Sequence, residues 1–227
     1  MKKIFILGAV SALVCLMMVS PASAIPTLQL SAGATTITVA DGSGLDVNPA
    51  VGVVTYVGAV GSFWTINVTT GITTPVLGTT AWPDLDLNSV NVTQPGGPAL
   101  TLKFSEFYFN NSVLTIPMVY NIGGTASGLN VAASAWFDPG PAVLFGLVNQ
   151  LGSTMNFGPG AFSGSTSGII SGQDSLHFSL TEVVTLTPAG TGGGNASFDA
   201  ELKVPEPFTV LLLGVGLLGL AGLRRKE

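Results

Sequence analysis

From Ile25 to Lys203 the polar and apolar residues alternate with a period of two almost throughout. Leu100-Thr101-Leu102-Lys103-Phe104-Ser105 shows the pattern, since successive side chains of a strand point to opposite faces and one face must be buried. Comparable runs are Leu28–Leu30, Thr35–Ala40, Val51–Val57, Phe63–Thr69, Asp84–Thr93, Ser112–Tyr120, Leu129–Phe137, Leu176–Leu186 and Ala196–Val204. Turn chemistry separates them: Asp41-Gly42, Pro95-Gly96-Gly97-Pro98, Asn110-Asn111, Gly123-Gly124, Asp138-Pro139-Gly140-Pro141 and Gly192-Gly193-Gly194. About ten strands joined by short loops predict an all-β fold, an antiparallel β-sandwich or jelly roll. Pro141–Leu151 fits a short helix or a strand, and Gly152–Gly172, rich in Gly and Ser, reads as a long loop with one edge strand at Met155–Phe157.

The pattern breaks at both ends. Lys2-Lys3, the apolar run Ile4–Val19 and Ala22-Ser23-Ala24 have the order of a secretory signal peptide over residues 1–24, with Ala22 and Ala24 as the signal peptidase site. At the other end Val204-Pro205-Glu206-Pro207 precedes an uncharged apolar run, Phe208–Leu223, and then Arg224-Arg225-Lys226-Glu227. That run predicts a single transmembrane helix of roughly 24 Å, short of the ~30 Å hydrocarbon core. Arg224, Arg225 and Lys226 close the gap by snorkelling, and as a basic stop they mark the cytoplasmic side, so everything before them faces out. Pro207 suits the first helical position, while Pro205 keeps Val204 extended and presents Glu206 on a rigid segment suited to a processing enzyme.

Val204-Pro205-Glu206-Pro207, the Gly- and Leu-rich span and the Arg-Arg ending resemble the PEP-CTERM sorting signal. The resemblance covers residues 204–227, about a tenth of the chain. It implies an exosortase, a membrane-embedded cysteine transpeptidase, as the partner that recognises Pro-Glu-Pro and removes the tail. It further implies a Gram-negative envelope, exopolysaccharide production, transient anchoring by the C-terminal helix, and a final place at the cell surface or in a biofilm matrix. It assigns no activity to residues 25–203.

Composition narrows what that body does. Its charged residues are ten acids against Lys103 and Lys203, a formal charge of −8, which excludes nucleic-acid binding by phosphate neutralisation. The single cysteine, Cys15, lies in the signal segment, so the body has neither disulfides nor a thiol nucleophile. Only 8% of the chain is charged, against about a quarter in ordinary globular proteins, so its solubility rests on hydroxyls and amides.

The candidate chemistry is thin. Asp41, Ser43, Asp46 and Asn48 offer oxygen ligands for calcium in a Gly-rich loop, but the spacing lacks the EF-hand pattern and an Asp-Gly turn is the simpler reading, so no metal or cofactor is expected. Asp84, Asp86 and Asn88 share one strand face opposite Leu85 and Leu87, a polar face rather than a glycosidase pair. Alternation turns Leu176 and Phe178 inward and His177 outward with Ser175 and Ser179; one histidine makes neither a zinc site nor, without a Gly-x-Ser-x-Gly elbow, a recognisable triad. Trp64, Trp82, Trp136, Tyr56, Tyr108 and Tyr120 suit core packing, with Trp82, in a loop before Pro83, the candidate for sugar stacking. A structural or adhesive, non-enzymatic surface protein is expected. A carbohydrate-binding module for exopolysaccharide is the alternative, and a secreted hydrolase a distant third.

Overall fold

The computed structural model describes residues 25–79, 82–93, 96–109, 115–140, 143–171 and 177–205. The signal peptide expected at 1–24 and the C-terminal helix expected at 208–223 lie outside them. Among the described residues no helix is long and apolar enough to cross a membrane.

The described chain forms thirteen strands. They are β1 (Thr27–Ala32), β2 (Thr35–Ala40), β3 (Val53–Val60), β4 (Trp64–Ile72), β5 (Asp84–Thr93), β6 (Leu100–Phe109), β7 (Thr115–Ser127), β8 (Leu129–Asp138), β9 (Asn149–Gln150), β10 (Met155–Phe157), β11 (Gly160–Ser171), β12 (His177–Pro188) and β13 (Gly194–Lys203). One sheet has the order β10-β8-β12-β6-β1-β2, with β9 also on β8, and the other β11-β7-β13-β5-β4-β3. Every pairing is antiparallel. The two sheets enclose one core.

The alternation explains which faces meet. Leu28 and Leu30 of β1, Leu100, Leu102 and Phe104 of β6, and Phe178, Leu180, Val184 and Leu186 of β12 are all fully buried. They face Leu85 and Leu87 of β5, Met118 and Tyr120 of β7, and Ala200 and Leu202 of β13 in one cluster. Each buried large side chain stabilises the fold by about 1.5–3 kcal/mol, so this layer replaces the missing disulfides. Gly71 belongs to the same layer: a Cβ there would stand 2.4 Å from the Phe104 ring. The absent side chain makes room for that ring.

Three segments depart from expectation. Gly123-Gly124 is no turn, because β7 runs through it and both glycines pair with β11 and β13. Gly152–Gly172 is no long loop, because β11 runs through it for twelve residues and pairs with β7 along its length. Its inward positions include Gly164 and Gly168, and the space above them is filled by Met155, Phe157 and the Leu151 backbone. Apolar cover thus comes from the preceding segment, and the strand's own alternation is too weak to read. Pro141–Leu151 holds no helix among its described residues; it folds over the outer face of the first sheet and ends in β9. Ser179 does face outward but is fully buried, because that loop covers it: its hydroxyl donates to Val143 O at 2.7 Å, and Phe145 N–H donates to Ser105 Oγ at 3.1 Å. The side chains of His177 and Tyr108 lie outside the described residues.

Candidate functional site

Two places carry the candidate chemistry: the exit of the C-terminal segment and the outer face of the six-stranded sheet. At the exit, β13 lies between β5 and β7 with Leu202 fully buried, so the last strand is locked into the sheet. The strand ends at Lys203, and Val204 N–H donates to Pro83 O at 3.4 Å. Pro205 has no N–H with which to continue the ladder, so the backbone leaves the sheet there. The remaining motif residues, Glu206 and Pro207, and the basic stop Arg224, Arg225 and Lys226, lie outside the described residues, as do Ala22 and Ala24. Trp82, adjacent to Pro83, is 55% exposed beside this exit, and its N–H is held by Thr79.

The outer face of the second sheet is a lattice of small polar side chains. One row crosses all six strands as Ser163, Gly123, Asp199, Asn88, Thr70 and Thr55, and the next runs through Ser165, Asn121, Glu201 and Asp86. Glycine at 123 lowers the floor of an open depression of about 470 Å3, lined by Asp86, Asn88, Gly123, Gly124, Ser197 and Asp199 among others. Asp86 and Asn88 share a side-chain hydrogen bond of 3.3 Å, and Lys203 pairs with Glu201 at 2.7 Å. Burial, with help from Asp199, pushes the Asp86 carboxyl up to about 6. Asp84 is raised by burial and by Glu201, against the pull of Lys203. The face is acidic and hydroxylated.

The loop residues proposed for calcium are otherwise engaged. Asp46 accepts from Asn48 N–H and Thr55 N–H with one oxygen and from Gly42 N–H with the other, Asp41 accepts from Gly52 N–H, and the Asn48 side chain accepts from Ala50 N–H. These bonds pin the loop to the start of β3. Ser43 Oγ is buried without a hydrogen-bond partner among the described residues. Among the described residues, no group of three or more His, Cys, Asp and Glu side chains is placed to hold a metal ion.

Two interior carboxyls escaped the sequence reading. Glu106 of β6 and Glu182 of β12 occupy inward positions, and both are buried. The signal was present, since Phe178, Leu180, Glu182, Val184 and Leu186 share one parity. The aromatic pairs are internal too: Phe137 meets the buried Phe178 edge to face at 5.8 Å, and Phe157 stacks on Phe162 at 5.0 Å beneath β11. Among the described residues Trp82 and Phe63 are the exposed aromatic side chains, and they stand at opposite ends of the sandwich.

No curated protein matches the chain. Among solved structures it is similar to a PA14 sugar-binding domain from an RTX adhesin, at 16% identity and a TM-score of 0.27, over 47% of this chain and 46% of that one. The chain thus spans about half the length of that domain. It is also similar to TmCBM61 in complex with beta-1,4-galactotriose, at 9% identity and a TM-score of 0.30, over 78% of this chain and 88% of that one. Similarities this distant transfer no function. Residues 203–226 match the family model of the PEP-CTERM protein-sorting motif, so the chain carries that motif, which implies exosortase-dependent export, behind its β-sandwich body.

Proposed function

We propose that this is an exported, non-enzymatic surface protein, processed by an exosortase at its C-terminal motif and serving structural or adhesive association in a biofilm or exopolysaccharide matrix. The observation that carries the adhesive part is the state of the sheet edges. β2 and β11 are terminal strands, and neither contains a charged residue. Soluble proteins usually blunt such edges with lysine, proline or a covering element, because unpaired N–H and C=O groups accept another strand. By contrast β3, an edge of the second sheet, is covered, since Val47 N–H donates to Thr55 O and Thr55 N–H to Asp46.

Sorting is tested by replacing Pro205, Glu206 and Pro207 with alanine and following the protein through membrane, surface and medium fractions. The expected result is retention of a tail-bearing species in the inner membrane. Wild-type localisation and processing in the variant would remove the sorting claim. Adhesion is tested by light scattering on the processed protein, where a monomer at every concentration would remove it.

A second reading, recognition of a polysaccharide, is favoured by the depression around Asn88 and Asp199, whose hydroxyl, amide and carboxylate groups suit sugar hydroxyls. Trp82 does not contribute to it, because that residue belongs to the end of the sandwich. N88A and D199A should each abolish retardation of the protein in gels containing the producer's polysaccharide. Equal retardation of wild type and variants would exclude this face.

A further inference from the structure

Among the described residues, the exposed large apolar side chains of the body are unequally divided between its two ends. The turns at the end away from the tail expose Phe63, whereas the opposite end exposes Ile25, Val47, Val51, Val76, Trp82 and Val143. Val57 and Val90 lie within strands of the second sheet. The crowded end is the one at which β13 finishes and Val204 leaves. Its loops are also joined to one another. Thr73 N–H donates to Gly52 O at 2.9 Å, coupling the loop of Val51 to that of Val76, and Val204 is tied to Pro83, next to Trp82. The apolar rim is therefore a shared surface around the exit of the tail.

We infer that this rim rests on the lipid headgroup and upper acyl region of the membrane while the tail is still attached, holding the sandwich upright and Pro205-Glu206-Pro207 at a fixed height. The tether permits little else. From Pro205 to Phe208 there are three steps, about 10–11 Å when fully extended, so a body anchored through residues 208–223 keeps this end against the bilayer. Tryptophan and branched aliphatic side chains suit that interface, the ring because its apolar face and polar N–H partition to opposite sides. The charge of the body sets the lipid type. Asp41, Asp46 and Asp84 at or near this end outnumber Lys203, so zwitterionic headgroups are accepted more readily than anionic ones.

The inference rests on the reading of the tail as a membrane anchor, and the test separates the two. The full chain is reconstituted in phosphatidylcholine vesicles, with and without lipids brominated high on the acyl chain, and flotation is scored beside tryptophan fluorescence. Trp64 is buried and Trp136 half-buried, so Trp82 is the exposed reporter. Brominated lipid should remove roughly a third of the emission, the share of one tryptophan in three. W82F should abolish that quenching with flotation unchanged, and V51D with V76D should reduce it at an unchanged circular dichroism spectrum. Failure to float overturns the anchor and the inference together. Flotation with Trp82 unquenched by lipid yet quenched by acrylamide overturns the inference alone. Shielding of Trp82 in native membranes but not in lipid vesicles identifies a protein as the partner and equally overturns it.

Discussion

Glu106 and Glu182 lie diagonally across the β6–β12 pair, both turned into the core, and the Thr73 hydroxyl donates to Glu106 Oε2 at 2.5 Å. Among the described residues neither oxygen of Glu182 has a hydrogen-bond partner, and the hydroxyl of Tyr120 is likewise buried without one. Burial holds the Glu182 carboxyl well above its usual range, reinforced by Asp86, Asp84, Glu201 and Asp199 behind the second sheet. Burial favours the protonated form of such an acid, because the ionised form would lose its hydration without compensation.

The pH dependence follows from that. With a folded pKa above the unfolded value of about 4.3, the native state binds more protons than the unfolded state once pH exceeds that value. Stability is then fully present below it and falls as pH rises toward the folded pKa. Asp86, raised to about 6, acts in the same direction between its unfolded value of about 3.9 and 6. Urea denaturation from pH 4 to pH 8 should show declining stability, and E182Q should flatten much of the decline. A wild-type profile independent of pH would contradict the burial of an unpaired carboxyl.

Glu182 also predicts a stabilising substitution. E182M fills a similar volume without an unsatisfied polar group, so at pH 7 it should raise unfolding free energy by about 1–3 kcal/mol. The check is the urea midpoint. A lower midpoint would show that the carboxyl has a partner in solution.

Asp46 is predicted to hold the loop before β3 through three backbone donors. Charge-assisted hydrogen bonds contribute about 1.5–3 kcal/mol each at most, so D46A should lower stability by about 2 kcal/mol and D46N by less. With its oxygens so occupied, the melting temperature should be equal in calcium and in chelator. A calcium-dependent rise measured by calorimetry would restore the metal reading of Asp41, Ser43, Asp46 and Asn48.

Gly71 supplies a packing test. G71A drives a methyl group into the Phe104 ring and should cost about 1–3 kcal/mol, whereas G192A, with nothing within 4 Å of the new Cβ, should be close to neutral. Similar midpoints for the two variants would mean that the sheets separate easily at this point.

The edge of β2 is open to a direct test by charge. Thr36 and Thr38 are exposed and outward, so T36K with T38K should disfavour strand addition and at least halve the self-association seen by light scattering, with the circular dichroism spectrum unchanged. Undiminished association would move the contact to β11 or away from the edges.

The sequence by itself determined most of the strands and the C-terminal motif. Thr35–Ala40, Asp84–Thr93 and Met155–Phe157 were legible to the residue, because side-chain parity is a property of local backbone geometry and needs no partner. The Pro-Glu-Pro motif was legible for the same reason, being read as a short linear segment. The tertiary structure decided what depends on distant residues. β11 is a strand because Met155 and Phe157 cover Gly164 and the Leu151 backbone covers Gly168, positions with no apolar signal of their own. Ser179 is buried because a loop from Val143 and Phe145 lies over it, and Asp46 is a loop clasp because Thr55 reaches it from β3. The gathering of apolar loops around Val204 likewise came from chain crossings between two sheets, and no single segment contains the information for a contact made across the fold.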